Sequence, residues 1–159
     1  MPNMGEYVVG AHLTMREKCQ GVIYNIRPPN WSYHELDVLG LRLSTRTAFL
    51  CEVTTHIDGL VIGSGAQQTF DKLSTKFDMQ RAYAQEYLSG FDVKFMLWSP
   101  LVRPKLKIML DELVGLDLVV NERYTRYVNQ LRSDAKATSK TTGNEFFRCL
   151  QILEHMVDD

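Results

Sequence analysis

The chain has little cysteine, and this scarcity excludes two kinds of small scaffold. Its 159 residues include three cysteines, Cys19, Cys51 and Cys149, which are widely spaced and form no CxxC pair. An odd number of isolated cysteines argues against a disulfide framework and against a structural zinc site. Such cysteine usage is typical of a reducing compartment, and we expect a cytoplasmic protein.

Long apolar runs and a strong net charge are also missing. No stretch of about 18 apolar residues is present, and the start, MPNMGEYVVGAHL, lacks the basic and apolar regions of a signal peptide. We therefore expect a soluble protein with no membrane partner. The formal net charge of −1 gives no global case for binding polyanions. A basic cluster in the second half, a candidate for nucleic-acid binding, consists of Arg103, Lys105, Lys107, Arg123 and Arg126.

The residues that are present have the composition of one compact soluble domain. Hydrophobic residues make up 45% of the chain, enough to bury a sizeable core. Apolar periodicity and turn residues predict helices and strands in alternation. The predicted elements are a helix at 4–19, strands at 21–27, 35–43 and 47–55, a long helix at 67–88, a strand at 92–98, a helix at 103–114, a strand at 116–120, a helix at 121–133 and a closing helix after a polar loop at 133–144.

Two acidic residues interrupt apolar stretches that are predicted to pair as a hairpin. Asp37 lies in ELDVLGLRL and Glu52 lies in TAFLCEVTT. A turn centred on Thr45 and Arg46 with an even loop would place Asp37 opposite Thr54, so that Asp37 and Glu52 are diagonal neighbours on one face. An odd loop would place them on opposite faces. Because both faces of this hairpin are largely apolar, we expect a mixed central sheet flanked by helices on both sides.

Two neighbouring buried carboxylates repel each other unless a cation or hydrogen bonds compensate. A divalent metal ion is one such compensation, since Mg²⁺ binds one or two carboxylates together with waters and phosphate oxygens. The alternative is that Asp37 is solvated at a strand end and that Glu52 pairs with an arginine such as Arg42 or Arg46.

The element order and the acidic residues together resemble the PD-(D/E)XK, or restriction-endonuclease-like, nuclease superfamily. In that family a helix, three antiparallel strands, a long helix and a fourth strand carry an aspartate on the second strand and E-x-K on the third. Here Asp37 stands at the aspartate position and Glu52-Val53-Thr54 at E-x-K. The resemblance implies an αβββαβ core over about 4–100 and a C-terminal extension of helices and a strand over about 101–159, all within a single domain 1–159.

The resemblance also implies a metal centre for Mg²⁺ or Mn²⁺. Its ligands would be Asp37, Glu52 and the Val53 carbonyl, with a helix carboxylate assisting. Glu6 is preferred to Glu17 for that role, because an early position on the first helix usually overlooks the site.

The chain departs from the family at the lysine, where it has Thr54. A neutral hydroxyl cannot supply the positive charge that stabilises a phosphoryl transition state. Lys72 and Lys76 lie one turn apart on the long helix, and either could replace the cation, with Lys76 preferred. His56 is a further candidate, as base or ligand, if the third strand continues that far.

The resemblance implies a metal-dependent nuclease that cleaves phosphodiester bonds, and it alone favours DNA over RNA as the expected substrate. The alternative is a catalytically inactive member of the same fold that binds nucleic acid or protein. The sequence leaves homodimer formation open.

Overall fold

The computed structural model describes residues 1–29 and 35–156, and in these ranges the predicted order of elements is found. The elements are α1 (Met4–Met15), β1 (Gly21–Ile26), β2 (Leu36–Arg42), β3 (Thr47–Val53), α2 (Ala66–Tyr87), β4 (Asp92–Ser99), α3 (Pro104–Asp111), β5 (Leu116–Val120), α4 (Glu122–Ala137) and α5 (Glu145–Glu154).

The five strands form one mixed sheet in the order β1-β2-β3-β4-β5. The first three strands are antiparallel, whereas β3, β4 and β5 run parallel to one another. The helix α2 is the crossover between β3 and β4, and it begins at the end of the sheet where β3 ends. The end of β3, the start of β2 and the start of α2 therefore meet at one edge of the sheet.

Helices cover both faces of this sheet. On one face α1 packs through Val9 and Leu13 against β2, β3 and β4, and α4 and α5 pack against α1 through Leu131, Phe147 and Leu150. On the other face α2 and α3 bury their apolar residues in two clusters. The chain is thus a single compact α/β domain, and the expectation of helices on both faces is confirmed.

The first helix begins with a reciprocal cap that also fixes a site residue. The side chain of Asn3 accepts a hydrogen bond from the Glu6 backbone at 3.0 Å, and the Glu6 carboxylate accepts one from the Asn3 backbone at 3.1 Å. Such a capping box satisfies two backbone donors that the helix leaves free. It also holds the Glu6 side chain at the start of α1.

The β2–β3 hairpin differs from its predicted register by two residues. A short 3₁₀ turn occupies Leu43–Thr45, and Arg46 follows it with φ 50°. The hairpin therefore pairs Arg42 with Thr47 and Val38 with Cys51. A shift by two residues leaves every side chain on its predicted face, because strand side chains alternate with period two.

Several other boundaries were predicted wrongly: α1 ends at Met15 rather than at 19, and α3 ends at Asp111 rather than at 114. The helix α4 continues to Ala137, into a segment predicted as loop, and β3 ends at Val53, before His56. The predicted C-terminal extension adds β5 to the sheet beside β4. None of the helices described has both the length and the apolar character needed to cross a bilayer.

Candidate metal centre

Asp37 and Glu52 lie side by side on neighbouring strands. Continuing the β2–β3 pairing by one residue beyond Val38 and Cys51 sets Asp37 directly opposite Glu52, rather than diagonal to it as predicted. Asp37 is 7% exposed and Glu52 is 5% exposed. The two carboxylates are therefore buried next to each other, near the end of the sheet at which β3 ends.

The Asp37 carboxylate is held by the backbone of the next strand. Its Oδ2 accepts a hydrogen bond from the Val53 N–H at 2.7 Å. Burial raises the pKa of Asp37 above its ordinary value. The nearby charges of Glu6 and Glu35 add to this rise, while the Lys76 ammonium and the Val53 hydrogen bond oppose it.

Glu52 is paired with a cation on α2. The Lys76 ammonium, on α2, donates a hydrogen bond to Glu52 Oε1. Burial raises the pKa of Glu52, and the charge of Asp37 raises it further against the effect of Lys76. Burial by itself lowers the pKa of Lys76, yet the ion pair with Glu52 leaves this pKa above its ordinary value.

Glu6 lies on α1, in the helix layer on the other face of the sheet. It is 4% exposed and accepts a hydrogen bond from Asn25 Nδ2 at 3.2 Å as well as those of its capping box. Its charge acts on Asp37. Glu17, the other helix candidate, lies beyond the opposite end of α1, where its carboxylate is 3.4 Å from Arg42. The geometry favours Glu6 over Glu17.

The three remaining candidates near the E-x-K position are placed differently. Thr54 is buried, and its N–H donates to the Trp98 carbonyl at 2.9 Å. Lys72 is exposed on α2, one turn before Lys76. His56 is exposed beyond the end of β3. Of the predicted cations, Lys76 is therefore the one that contacts Glu52.

Two residues at the rim of the centre were missed by sequence reasoning. Glu35 acts electrostatically on Asp37, Glu52 and Lys76. It is also paired with Arg27, whose Nη2 lies 2.9 Å from Glu35 Oε2. The spacing of Glu35 and Asp37, two residues apart in the strand predicted at 35–43, was a signal for Glu35. Arg27 could be found only from the register of β1 on β2.

The five basic residues predicted to contact nucleic acid do not share one environment. Arg123 is held by both oxygens of Asp117, with Nη2 at 2.9 Å from Oδ2, and Lys107 pairs with Asp111 at 2.7 Å. Arg103 donates to the Asp58 carbonyl at 3.3 Å, in the loop that follows β3. Lys105 and Arg126 are exposed.

The donor set suits a hard divalent cation that keeps part of its water shell. Within the described ranges no group of three or more His, Cys, Asp or Glu side chains could hold a metal ion. However, Oδ1 of Asp37 and Oε2 of Glu52 make no hydrogen bond within the described ranges. Two carboxylates whose pKa values are raised by burial and mutual repulsion gain from a shared cation. Mg²⁺ needs only one or two carboxylates, the rest being waters and substrate oxygens.

Comparisons with protein-family models, with curated proteins and with solved structures gave no significant match to this chain.

Proposed function

We propose that the chain is a metal-dependent nuclease of the PD-(D/E)XK type, with a restriction-endonuclease-like core, that cleaves phosphodiester bonds in DNA. The observation that carries the proposal is the placement of Lys76 against Glu52, opposite Asp37. Two buried carboxylates and one ammonium, drawn from two strands and a helix, are the groups that this chemistry requires. The order αβββαβ supports the same conclusion.

Each residue of the centre then has a stated role. Asp37 and Glu52, with the Val53 carbonyl, would hold Mg²⁺ or Mn²⁺, and Glu6 would orient the ion's waters from α1. The bound ion would supply Lewis-acid stabilisation of the phosphate and a lowered pKa for the attacking water. Lys76 would turn from Glu52 towards a non-bridging phosphate oxygen and replace the missing family lysine. Thr54 would remain a structural residue at the end of β3.

The second candidate function is a catalytically inactive member of the same fold. Thr54 favours it, because this residue occupies the usual lysine position and its hydroxyl donates to the Trp98 carbonyl at 3.4 Å. Such a protein would bind nucleic acid or a protein partner, as a monomer or a homodimer, without hydrolysis.

A cleavage assay separates the two candidates. Supercoiled plasmid and labelled single-stranded DNA are incubated with Mg²⁺ or Mn²⁺ and the wild type, Lys76→Met, Lys72→Met or His56→Ala. We expect Lys76→Met to lose about 10²–10³ in rate, the typical cost of removing one transition-state contact. Lys72→Met and His56→Ala should cleave like the wild type.

Lys72→Met is the matched control for Lys76→Met, because both lysines are on α2. Lys72→Met removes an equal charge one turn from Lys76, so a general electrostatic effect would slow both variants equally. Wild-type rates in Lys76→Met would refute the role of Lys76. A folded wild type that cleaves no substrate with either ion would favour the inactive member.

A further inference from the structure

Arg27 has a constrained backbone and lies near the candidate metal centre, at the end of β1. It follows the last residue of β1, Ile26, which pairs with Leu36. The next residue, Pro28, is buried. A residue that precedes proline is confined to extended backbone conformations. The Arg27 backbone is thus fixed between a strand end and a buried ring, while its side chain is 76% exposed.

The guanidinium of Arg27 connects this rim to the centre. Its Nε donates a hydrogen bond to Oε2 of Glu35 at 3.0 Å, and its Nη2 lies 2.9 Å from the same oxygen. Continuing the β1–β2 pairing sets Arg27 opposite Glu35, which precedes Asp37 by two residues. Glu35 in turn acts on the charges of Asp37, Glu52 and Lys76.

The charge of the centre calls for a further cation. The carboxylates of Glu6, Glu35, Asp37 and Glu52 outnumber the single ammonium of Lys76, so a single divalent ion leaves the group negative. A phosphodiester adds one more negative charge. An arginine fork matches phosphate oxygens in geometry and charge. An exposed ion pair such as Arg27–Glu35 contributes little stability, so exchanging its partner costs little.

We propose that Arg27 is a substrate-binding residue that contacts a phosphate of the DNA backbone next to the scissile one. In the free protein it is paired with Glu35, and it moves to the phosphate when DNA arrives. This inference rests on the proposed nuclease function and adds to it a contact on the β1 side of the centre. Because the contact is to phosphate, it is independent of base sequence.

The test measures binding of a labelled single-stranded DNA by anisotropy over a series of salt concentrations. Asp37→Asn is the background for all variants, since it prevents cleavage during the measurement. Arg27→Gln is compared with Arg132→Gln, a matched control. Arg132 is also an exposed arginine in an ion pair, with Glu154 at 2.8 Å, and it lies on α4. Circular dichroism verifies that both variants are folded.

We expect Arg27→Gln to weaken DNA binding about 5–10-fold and to reduce the slope of log K against log salt by about 0.7, the value for one lost contact to a single strand. Arg132→Gln should change neither quantity. RNA of the same sequence should lose affinity to a similar extent, and a loss confined to either nucleic acid would overturn a phosphate contact. Arg27→Lys should recover part of the affinity.

Two outcomes would overturn the inference, and they differ in what they imply for the proposed function. If Arg27→Gln behaves like Arg132→Gln while wild type cleaves DNA, Arg27 is not a phosphate contact and the nuclease proposal stands. If the background protein binds no DNA at all, the inference fails as well. Cleavage by the wild type then decides the proposed function separately.

Discussion

Burying Asp37 and Glu52 side by side costs free energy, because the two carboxylates carry like charges. One hydrogen bond from Val53 and one ion pair with Lys76 offset part of this cost. The raised pKa values of both carboxyls show that the compensation is incomplete. A residue pair of this kind is typical of a functional site, where stability is given up for binding or chemistry.

We expect Asp37→Asn to stabilise the protein at pH 8. The asparagine Oδ1 can still accept the Val53 hydrogen bond, while the charge beside Glu52 is removed. Because the folded protein raises the pKa of Asp37, the protonated carboxyl stabilises the fold fully below about pH 4, the unfolded value. That contribution is lost as pH rises through the folded-state pKa. The expected gain at pH 8 is on the order of 1–3 kcal/mol in the free energy of unfolding.

Urea denaturation at pH 8 and near pH 4 measures this effect, with Asp78→Asn as control. Asp78 is exposed on α2 and its replacement should be neutral at both pH values. The gain for Asp37→Asn should shrink as the pH approaches 4. Destabilisation at pH 8 would show that the Asp37 charge is better compensated than its surroundings indicate.

At the scale of single residues, much of the centre could be predicted from the sequence. Alternation along two strands placed Asp37 and Glu52 on one face, and helical spacing made Lys72 and Lys76 the candidate cations. The choice between these lysines depended on how α2 lies across the sheet, which no local pattern determines. Arg27 was missed because its position depends on the β1–β2 register, which no local sequence pattern determines.

At the scale of elements, α2 turns one face to the sheet along much of its length. Phe77 stacks edge-on against Phe95 of β4 at 5.3 Å, and Ala84 packs in the apolar cluster beyond it. Gln80 lies between them, 2% exposed, and its side-chain amide has no hydrogen-bond partner in the described part of the chain. An unpaired buried amide costs about 1–3 kcal/mol.

We therefore expect Gln80→Met to stabilise the protein by about 1 kcal/mol, because methionine has a similar shape without polar atoms to desolvate. Thermal and urea denaturation give the change in the free energy of unfolding. Gln85→Met, at an exposed position of the same helix, should change stability by less than about 0.5 kcal/mol. A loss of stability in Gln80→Met alone would indicate that the buried amide has a partner.

The hairpin shows what the sequence determines about an element and what it does not. Apolar alternation specified the faces of β2 and β3, and these were predicted correctly. The turn was predicted wrongly by two residues in register, because Leu43–Thr45 form a 3₁₀ turn and Arg46 adopts φ 50°. A left-handed arginine is uncommon, and its sequence gives no signal of the kind that glycine or asparagine gives.

At the scale of the whole molecule, the last third of the chain is joined to the sheet and to both helix layers. β5 extends the sheet beside β4, and α4 and α5 cover α1, whose first turn carries Glu6. The position of Glu6 therefore depends on residues far along the chain. With a net charge of −1, and with Lys107 and Arg123 in internal ion pairs, attraction to a polyanion must be local.

Calorimetric titration with Mn²⁺ tests most directly whether Asp37 and Glu52 share one divalent cation, as we propose. The wild type and Asp78→Asn should bind about one ion per chain, and a saturating concentration should raise their melting temperatures by mass action. The double variant Asp37→Asn/Glu52→Gln should remain folded and bind none. Equal Mn²⁺ binding by the double variant, or no binding by the wild type, would contradict the account.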